Sequence, residues 1–115
     1  MQSFIEPSAV FIHRDFVDFR KSINGLAAIV EDDLNRDAYT GELFVFCNKA
    51  KDKLKILYWD KTGFALWYKR LEKQKFKWPN NIDCNEFELT DEQFKWLLSG
   101  FDVLGHQELH YQSMI

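Results

Sequence analysis

Leu43-Phe44-Val45-Phe46-Cys47, then Leu54-Lys55-Ile56-Leu57-Tyr58-Trp59-Asp60, then Phe64-Ala65-Leu66-Trp67-Tyr68-Lys69-Arg70: three runs of aromatic and β-branched residues lie between short polar links. Such residues suit a pleated, half-buried surface, so each run reads as a strand. Asn48 to Lys53 turns the chain once, and Lys61-Thr62-Gly63 makes a second, tighter connection. Links this short join antiparallel neighbours, which makes the three strands a meander. Alternation puts Leu54, Ile56 and Tyr58 on one face of the middle strand and Lys55, Leu57 and Trp59 on the other. In the last strand Phe64, Leu66, Tyr68 and Arg70 oppose Ala65, Trp67 and Lys69.

Outward from this centre, Ala9 to His13 is a short β-like run, and after it the pattern changes. Phe19, Ile23, Leu26, Ala27, Val30 and Leu34 recur at spacings of three and four, one face of a helix. Asp18 is its expected N-cap and Asn35 its exit. Gly25 lies inside, where it costs about 1 kcal/mol relative to Ala, which implies close packing on the sheet. Glu72 to Trp78 is expected to add an edge strand, and Pro79-Asn80-Asn81 breaks the pattern. Glu86 to Leu89 leads into Thr90-Asp91-Glu92-Gln93, whose Thr and Gln three apart fit a capping box. Phe94, Leu97, Leu98 and Phe101 form the stripe of the helix that follows, and Gly100 is placed to end it. Asp102 to Ile115 receives no assignment. The expected fold is α+β: a single domain over residues 1–115, with a central antiparallel sheet and at least two packed helices.

A chain of 115 residues buries roughly two-thirds of its unfolded surface around one core. At 46% hydrophobic, 17% aromatic and 29% charged it lies far from the composition of disordered chains and should fold unaided. No apolar run approaches the roughly 18–20 residues that span a bilayer, and Glu6 and Pro7 interrupt the N-terminus where a signal peptide needs an apolar core. The expectation is a cytoplasmic protein with no membrane contact. Cys47 and Cys84 then stay reduced, with Cys47 packing as a small hydrophobe at the end of its strand.

Charge is unevenly spread. Ten of the fifteen Lys and Arg residues lie between Cys47 and Trp78, giving that stretch +7, against −4 for residues 1–46 and −6 for residues 79–115. A net −3 thus conceals a basic, aromatic middle, which points to phosphate or an acidic protein surface as partner. A face of lysines and tryptophans would suit single-stranded bases or a phosphate backbone. Equally, the aromatics are core, and Lys49, Lys51 and Lys53 solvate a hairpin tip.

Catalytic apparatus is not visible. The pair His106 and His110 at i, i+4, with Glu108 between them, matches no recognised zinc spacing. No acid has Lys two residues later, as a two-metal nuclease often requires; Asp18-Phe19-Arg20 is the nearest case. Asp32 and Asp33 sit late in the first helix, where negative charge opposes the dipole. The five glycines are scattered and no Gly-x-Ser-x-Gly surrounds a serine. The chain reads as no enzyme, with neither cofactor nor metal.

Several segments together carry a family resemblance. They are Asp18-Phe19-Arg20-Lys21, Gly25-Leu26, Gly41-Glu42-Leu43-Phe44-Val45-Phe46-Cys47-Asn48, Lys53-Leu54-Lys55, Tyr58-Trp59-Asp60, Gly63-Phe64, Leu66-Trp67-Tyr68-Lys69-Arg70-Leu71-Glu72 and Phe76-Lys77-Trp78-Pro79, with Leu97-Leu98-Ser99-Gly100-Phe101-Asp102 toward the end. From about residue 10 to 102 the chain resembles the TnpB-type accessory protein of bacterial insertion sequences, in the family numbered sixty-six. The resemblance implies a small protein encoded beside TnpA and a larger transposase, TnpC, which carries the acidic catalytic triad. It would assist transposition without performing it. Ser22 stands where that family usually has Gly, and Ala38-Tyr39-Thr40-Gly41 where it has a Pro-x-Ser-Gly turn. The leading expectation is a surface around Arg20, Lys21, Lys53, Lys55, Lys69 and Arg70, with Trp59 and Trp67 as secondary members, that contacts DNA at the element's ends. The rival is an adaptor whose basic patch meets TnpA or TnpC, and a cryptic nuclease comes third. Oligomeric state is not readable.

Overall fold

Residues 9–79 and 82–100 are described by a computed structural model. Over those residues the chain forms β1 (Val10–His13), α1 (Ile23–Asp32), β2 (Leu43–Cys47), β3 (Lys53–Asp60), β4 (Gly63–Arg70), β5 (Glu86–Leu89) and α2 (Asp91–Leu98). The strands make one sheet in the order β4-β3-β2-β1-β5. As the polar links require, β2, β3 and β4 are an antiparallel meander, with Val45 opposite Ile56 and Ile56 opposite Trp67.

The sheet as a whole is mixed, not purely antiparallel. β1 runs parallel to β2, Phe11 standing opposite Phe44, and β5 pairs antiparallel with the other side of β1, Phe87 opposite Ile12. A parallel pair needs a crossover far longer than a hairpin, and the segment through α1 supplies it. β1 and β2 are therefore interior strands. Every residue of both is buried, which explains why they read as continuous apolar runs without alternation.

Each face of the sheet has its own cover. On one, Phe11, Phe44, Phe46 and Leu57 pack with Leu26, Val30 and Leu34 from α1 and the segment just after it. On the other, Val10, Ile12, Val45, Leu54 and Ile56 pack with Phe94 and Leu97 of α2 and with Phe76 and Trp78. Burying side chains of this size stabilises the fold by about 1.5–3 kcal/mol each. Among the described residues no helix is long and apolar enough to cross a membrane.

Three features differ from the sequence expectation. α1 begins at Ile23 behind the N-cap Ser22, not at Asp18. The Asp18 carboxylate instead accepts the backbone N–H of Arg20 at 2.9 Å, the local turn that Asp adopts as readily as a cap. Gly25 does not face the sheet closely: a Cβ there would meet Lys21 Cβ at 3.3 Å. Finally, Glu72 to Trp78 is no edge strand. It crosses the α2 face as a strap, with Phe76 and Trp78 buried, Phe76 N–H donating to Lys51 O at 2.6 Å and Trp78 Nε1 to Arg14 O at 2.9 Å. Its alternation of Lys and aromatic residues arises because one side lies on the core and the other faces water.

Other signals translate directly. Asn35 leaves α1 with a left-handed φ of 53°. At α2 the capping box is complete, Gln93 N–H donating to Thr90 Oγ1 at 3.1 Å and Thr90 N–H to Gln93 Oε1 at 2.9 Å. Gly100 follows with φ +88°, while Phe101 lies outside the described residues. One acid of the pair late in α1 also finds a use: Asp33 Oδ2 stands 3.2 Å from Nε2 of the buried His13, whose Nδ1 donates to Asp15 O at 2.9 Å. Replacing Thr90 with Ala is expected to cost about 1 kcal/mol, measured as a lower urea midpoint at unchanged slope. Cys47 is fully buried, and desolvation pushes its thiol up to about 12, whereas Cys84 is exposed. A thiol reagent at neutral pH is therefore expected to label one cysteine in the native protein, Cys84 by peptide mapping, and both in denaturant.

Candidate nucleic-acid interface

The register of the β3–β4 hairpin decides which cations meet. Lys53 stands opposite Arg70, Lys55 opposite Tyr68, Leu57 opposite Leu66 and Trp59 opposite Phe64, all on the face toward α1. Leu54 opposite Lys69 and Ile56 opposite Trp67 belong to the other face. Lys53, Lys55 and Arg70 thus share a surface, and Lys69 does not join them. Its Nζ donates to Leu98 O at 2.8 Å, where the carbonyl end of α2 favours a cation. Trp67 is partly buried against the α2-side core. Trp59 lies at the far end of the hairpin from Lys53, in edge contact with Tyr39 and Phe64 at 4.9 and 5.1 Å between ring centroids. The expected Lys-Trp face is therefore divided: the two tryptophans lie on opposite sides of the sheet.

A segment before α1 completes the basic surface. Phe16 to Arg20 runs over the hairpin, held by Val17 N–H to Cys47 O at 2.9 Å. Lys55 Nζ donates to Phe19 O at 2.8 Å and sits 4.9 Å from the centre of the Phe19 ring. Between this segment, the Asn48 to Ala50 turn and the hairpin lies an open groove of about 920 Å³. Val17 and Leu66 contribute apolar lining, with Lys49, Lys53, Lys55, Arg20 and Tyr68 around it. Asp18 is the one carboxylate among its lining residues, and Arg20 engages it at 2.6 Å. Lys21 is exposed beside it, outside the groove lining.

The turn between β2 and β3 is fixed by one side chain. Asn48 Oδ1 accepts the N–H groups of Asp52 and Lys53 at 3.1 and 3.0 Å, and Nδ2 donates to Asp52 Oδ1 at 2.7 Å. Lys51 is held there with a φ of 63°. A second groove, of about 510 Å³, opens behind the turn between Lys49 and Lys51 on one side and Lys75 and Lys77 on the other. Lys75 Nζ donates to Ala50 O at 2.8 Å. Sequence reasoning placed Lys49 and Lys51 at a hairpin tip but left Lys75 and Lys77 out of the site. The available signal was the period-two alternation of Lys75 and Lys77 with Phe76 and Trp78, which exposes the lysines on one side of the strap.

Among the described residues no group of three or more His, Cys, Asp or Glu is arranged to hold a metal ion; His106, Glu108 and His110 lie outside them. Ser22 and the Ala38 to Gly41 segment each have a defined local geometry. Ser22 caps α1 through an extended backbone, and Asp37 Oδ1 accepts Tyr39 N–H at 2.9 Å ahead of Gly41 at φ +90°. The Arg20 guanidinium, aided by the Arg20 N–H, holds the Asp18 carboxyl down at about 2. Because the folded value is depressed, this clamp contributes fully above the ordinary carboxylate range and is lost as pH falls toward 2. An NMR titration should place the Asp18 midpoint near that value in the native protein and much closer to about 3.9 in Arg20→Gln.

Residues 8–108 match the family described as IS66 Orf2 like protein, a span that contains the segments quoted above. The protein y4jC of Sinorhizobium fredii is 42% identical over 86 residues, 75% of this chain and 73% of that protein. A second protein of the same organism, y4hO, is 32% identical over 99 residues, covering 86% and 85% respectively. No solved structure matches the chain. With the family pattern running through both helices and all five strands, the chain belongs to the IS66 Orf2-like family, accessory proteins of a bacterial insertion sequence.

Proposed function

We propose that this protein assists transposition without catalysing it, by contacting DNA at the element's ends through the hairpin face of Lys53, Lys55 and Arg70 and the adjoining Arg20 and Lys21. The observation that carries this reading is the convergence of Arg20, Lys53 and Lys55 on one groove. Strand order adds to it. β4 and β3 form one side of the sheet, whereas β5, with Glu88 and with Glu86 paired to Arg36, forms the opposite edge and leads into Asp91 and Glu92 of α2. The net −3 is therefore a poor guide to what a phosphate approaching the hairpin meets. Arg20 and Arg70 are each paired with a neighbouring acid, Asp18 and Glu72. Exposed pairs of this kind are screened by water and contribute little, so exchange of carboxylate for phosphate costs little. Lys69, Trp59 and Trp67 are assigned to packing.

The acidic edge also favours a second reading, in which the same basic face docks on an acidic surface of TnpC or TnpA and the acids keep the free protein off DNA. Fluorescence anisotropy with element-end duplexes separates the two. Roughly four phosphate contacts give a log–log salt slope near −3.6, and the double change Lys53→Glu with Lys55→Glu is expected to weaken binding more than tenfold with the circular dichroism spectrum unchanged. Absence of binding at low salt would overturn the DNA reading. Capture of purified TnpC that survives the double change would overturn the adaptor reading for this face.

A further inference from the structure

We infer that the DNA taken by this surface is an unpaired strand: one base stacks on Tyr68 in the first groove, and the backbone passes the Asn48 to Lys53 turn into the second groove, onto Lys75 and Lys77. This rests on the DNA-contact reading and narrows it to a ligand class. Two large hydrophobic side chains are strongly exposed among the described residues, Tyr39 at 54% and Tyr68 at 51%. The Tyr39 ring is already used, packed on Trp59 and Phe64 at 4.9 and 5.1 Å. Tyr68 has no aromatic partner among the described residues. It stands opposite Lys55 across the hairpin and shares its groove with Lys49 and Lys53. An open aromatic face flanked by cations is what a sequence-tolerant stacking platform requires.

Duplex DNA hides the faces of its bases in its own stack, so it can offer this surface phosphates but nothing for Tyr68. An unpaired strand offers both. At about 920 Å³ the groove lies at the large end of the range in which small ligands are held, enough for a nucleotide. The continuation is set by the turn, since Lys49 and Ala50 line both grooves. Beyond it, Lys77 is exposed, and Lys75 spends one donor on Ala50 O and keeps two for an anion. No carboxylate lines the second groove among the described residues.

The test uses the full chain and two labelled probes, a twelve-nucleotide oligo(dT) and a duplex of equal length, in anisotropy titrations across salt. The single strand is expected to bind more tightly than the duplex. Tyr68→Ala should weaken single-strand binding about five- to 150-fold, the worth of one base–aromatic stack, with less than a twofold effect on the duplex, and Tyr68→Phe should restore it. The pair Lys75→Gln with Lys77→Gln should lower the single-strand salt slope by about 1.4, two contacts at about 0.7 each. Equal affinity for both probes, or an unaltered single-strand affinity in Tyr68→Ala, overturns the inference while leaving duplex contact by Lys53 and Lys55 standing. An unchanged slope in the Lys75 and Lys77 variant removes the second groove from the path. If neither probe binds, the DNA-contact reading falls as well.

Discussion

The burial of β1 and β2 on both faces is the constraint on which the rest of the molecule depends. Two adjacent strands with no exposed residue cannot be served by a single layer of helix. α1 covers one side, and the other is left to whatever follows the meander. That need explains why Glu72 to Trp78 is drawn over the sheet, where Phe76 and Trp78 are buried against its second face. It also explains the return of the chain to β1, where β5 pairs and α2 completes the second layer. The parallel β1–β2 pair serves the same demand, because parallel neighbours need a crossover long enough to carry a helix, here α1, over the sheet.

The basic surface is a by-product of this closure. Once the strap lies on the α2 face, its alternate residues must look outward, and they do so beside the Asn48 turn. Once α1 lies on the other face, the segment leading to it has to cross the hairpin, and Lys55 fastens it there through Phe19 O. Cations from four separate stretches of chain, around residues 20, 50, 54 and 76, are gathered by packing rather than by proximity in sequence. The Asn48 side chain, bonded three times within its own turn, keeps the lysines between the two grooves on a rigid support. Less side-chain and loop freedom is then lost when an anion binds.

What was legible in the sequence followed short-range physics. The meander could be read because its links are too short for anything but antiparallel pairing, and the start of α2 because Thr90 and Gln93 form a local device. The parallel β1–β2 pair was hidden, since Val10 to His13 carries no mark of its partner's direction. Asp18 misled because turn and cap use the same carboxylate chemistry, and Ser22, without a side-chain cap bond, left no signal of its own. At the site, alternation correctly assigned each hairpin residue to a face within its own strand. It did not say which faces of neighbouring strands coincide, so Trp67 and Lys69 were grouped with Trp59 and Lys55, from which the register separates them. Lys75 and Lys77 were overlooked because a strap that crosses a sheet resembles a strand that extends one.

The two ends of the sheet carry opposite charges, and this bears on more than ligand choice. An open sheet presents unpaired N–H and C=O groups at its margins, and any extended segment is invited to add there. β5 is four residues long and holds Glu88 beside Glu86, which Arg36 pairs, while β4 ends in Lys69 and in Arg70, which Glu72 pairs. Among the described residues each margin thus keeps one uncompensated charge of its own sign. Two copies approaching through the same margin meet like charge before their backbones can pair. The strand order that gathers cations for a polyanion therefore also guards a small, aromatic-rich protein against edge-to-edge aggregation with its own kind.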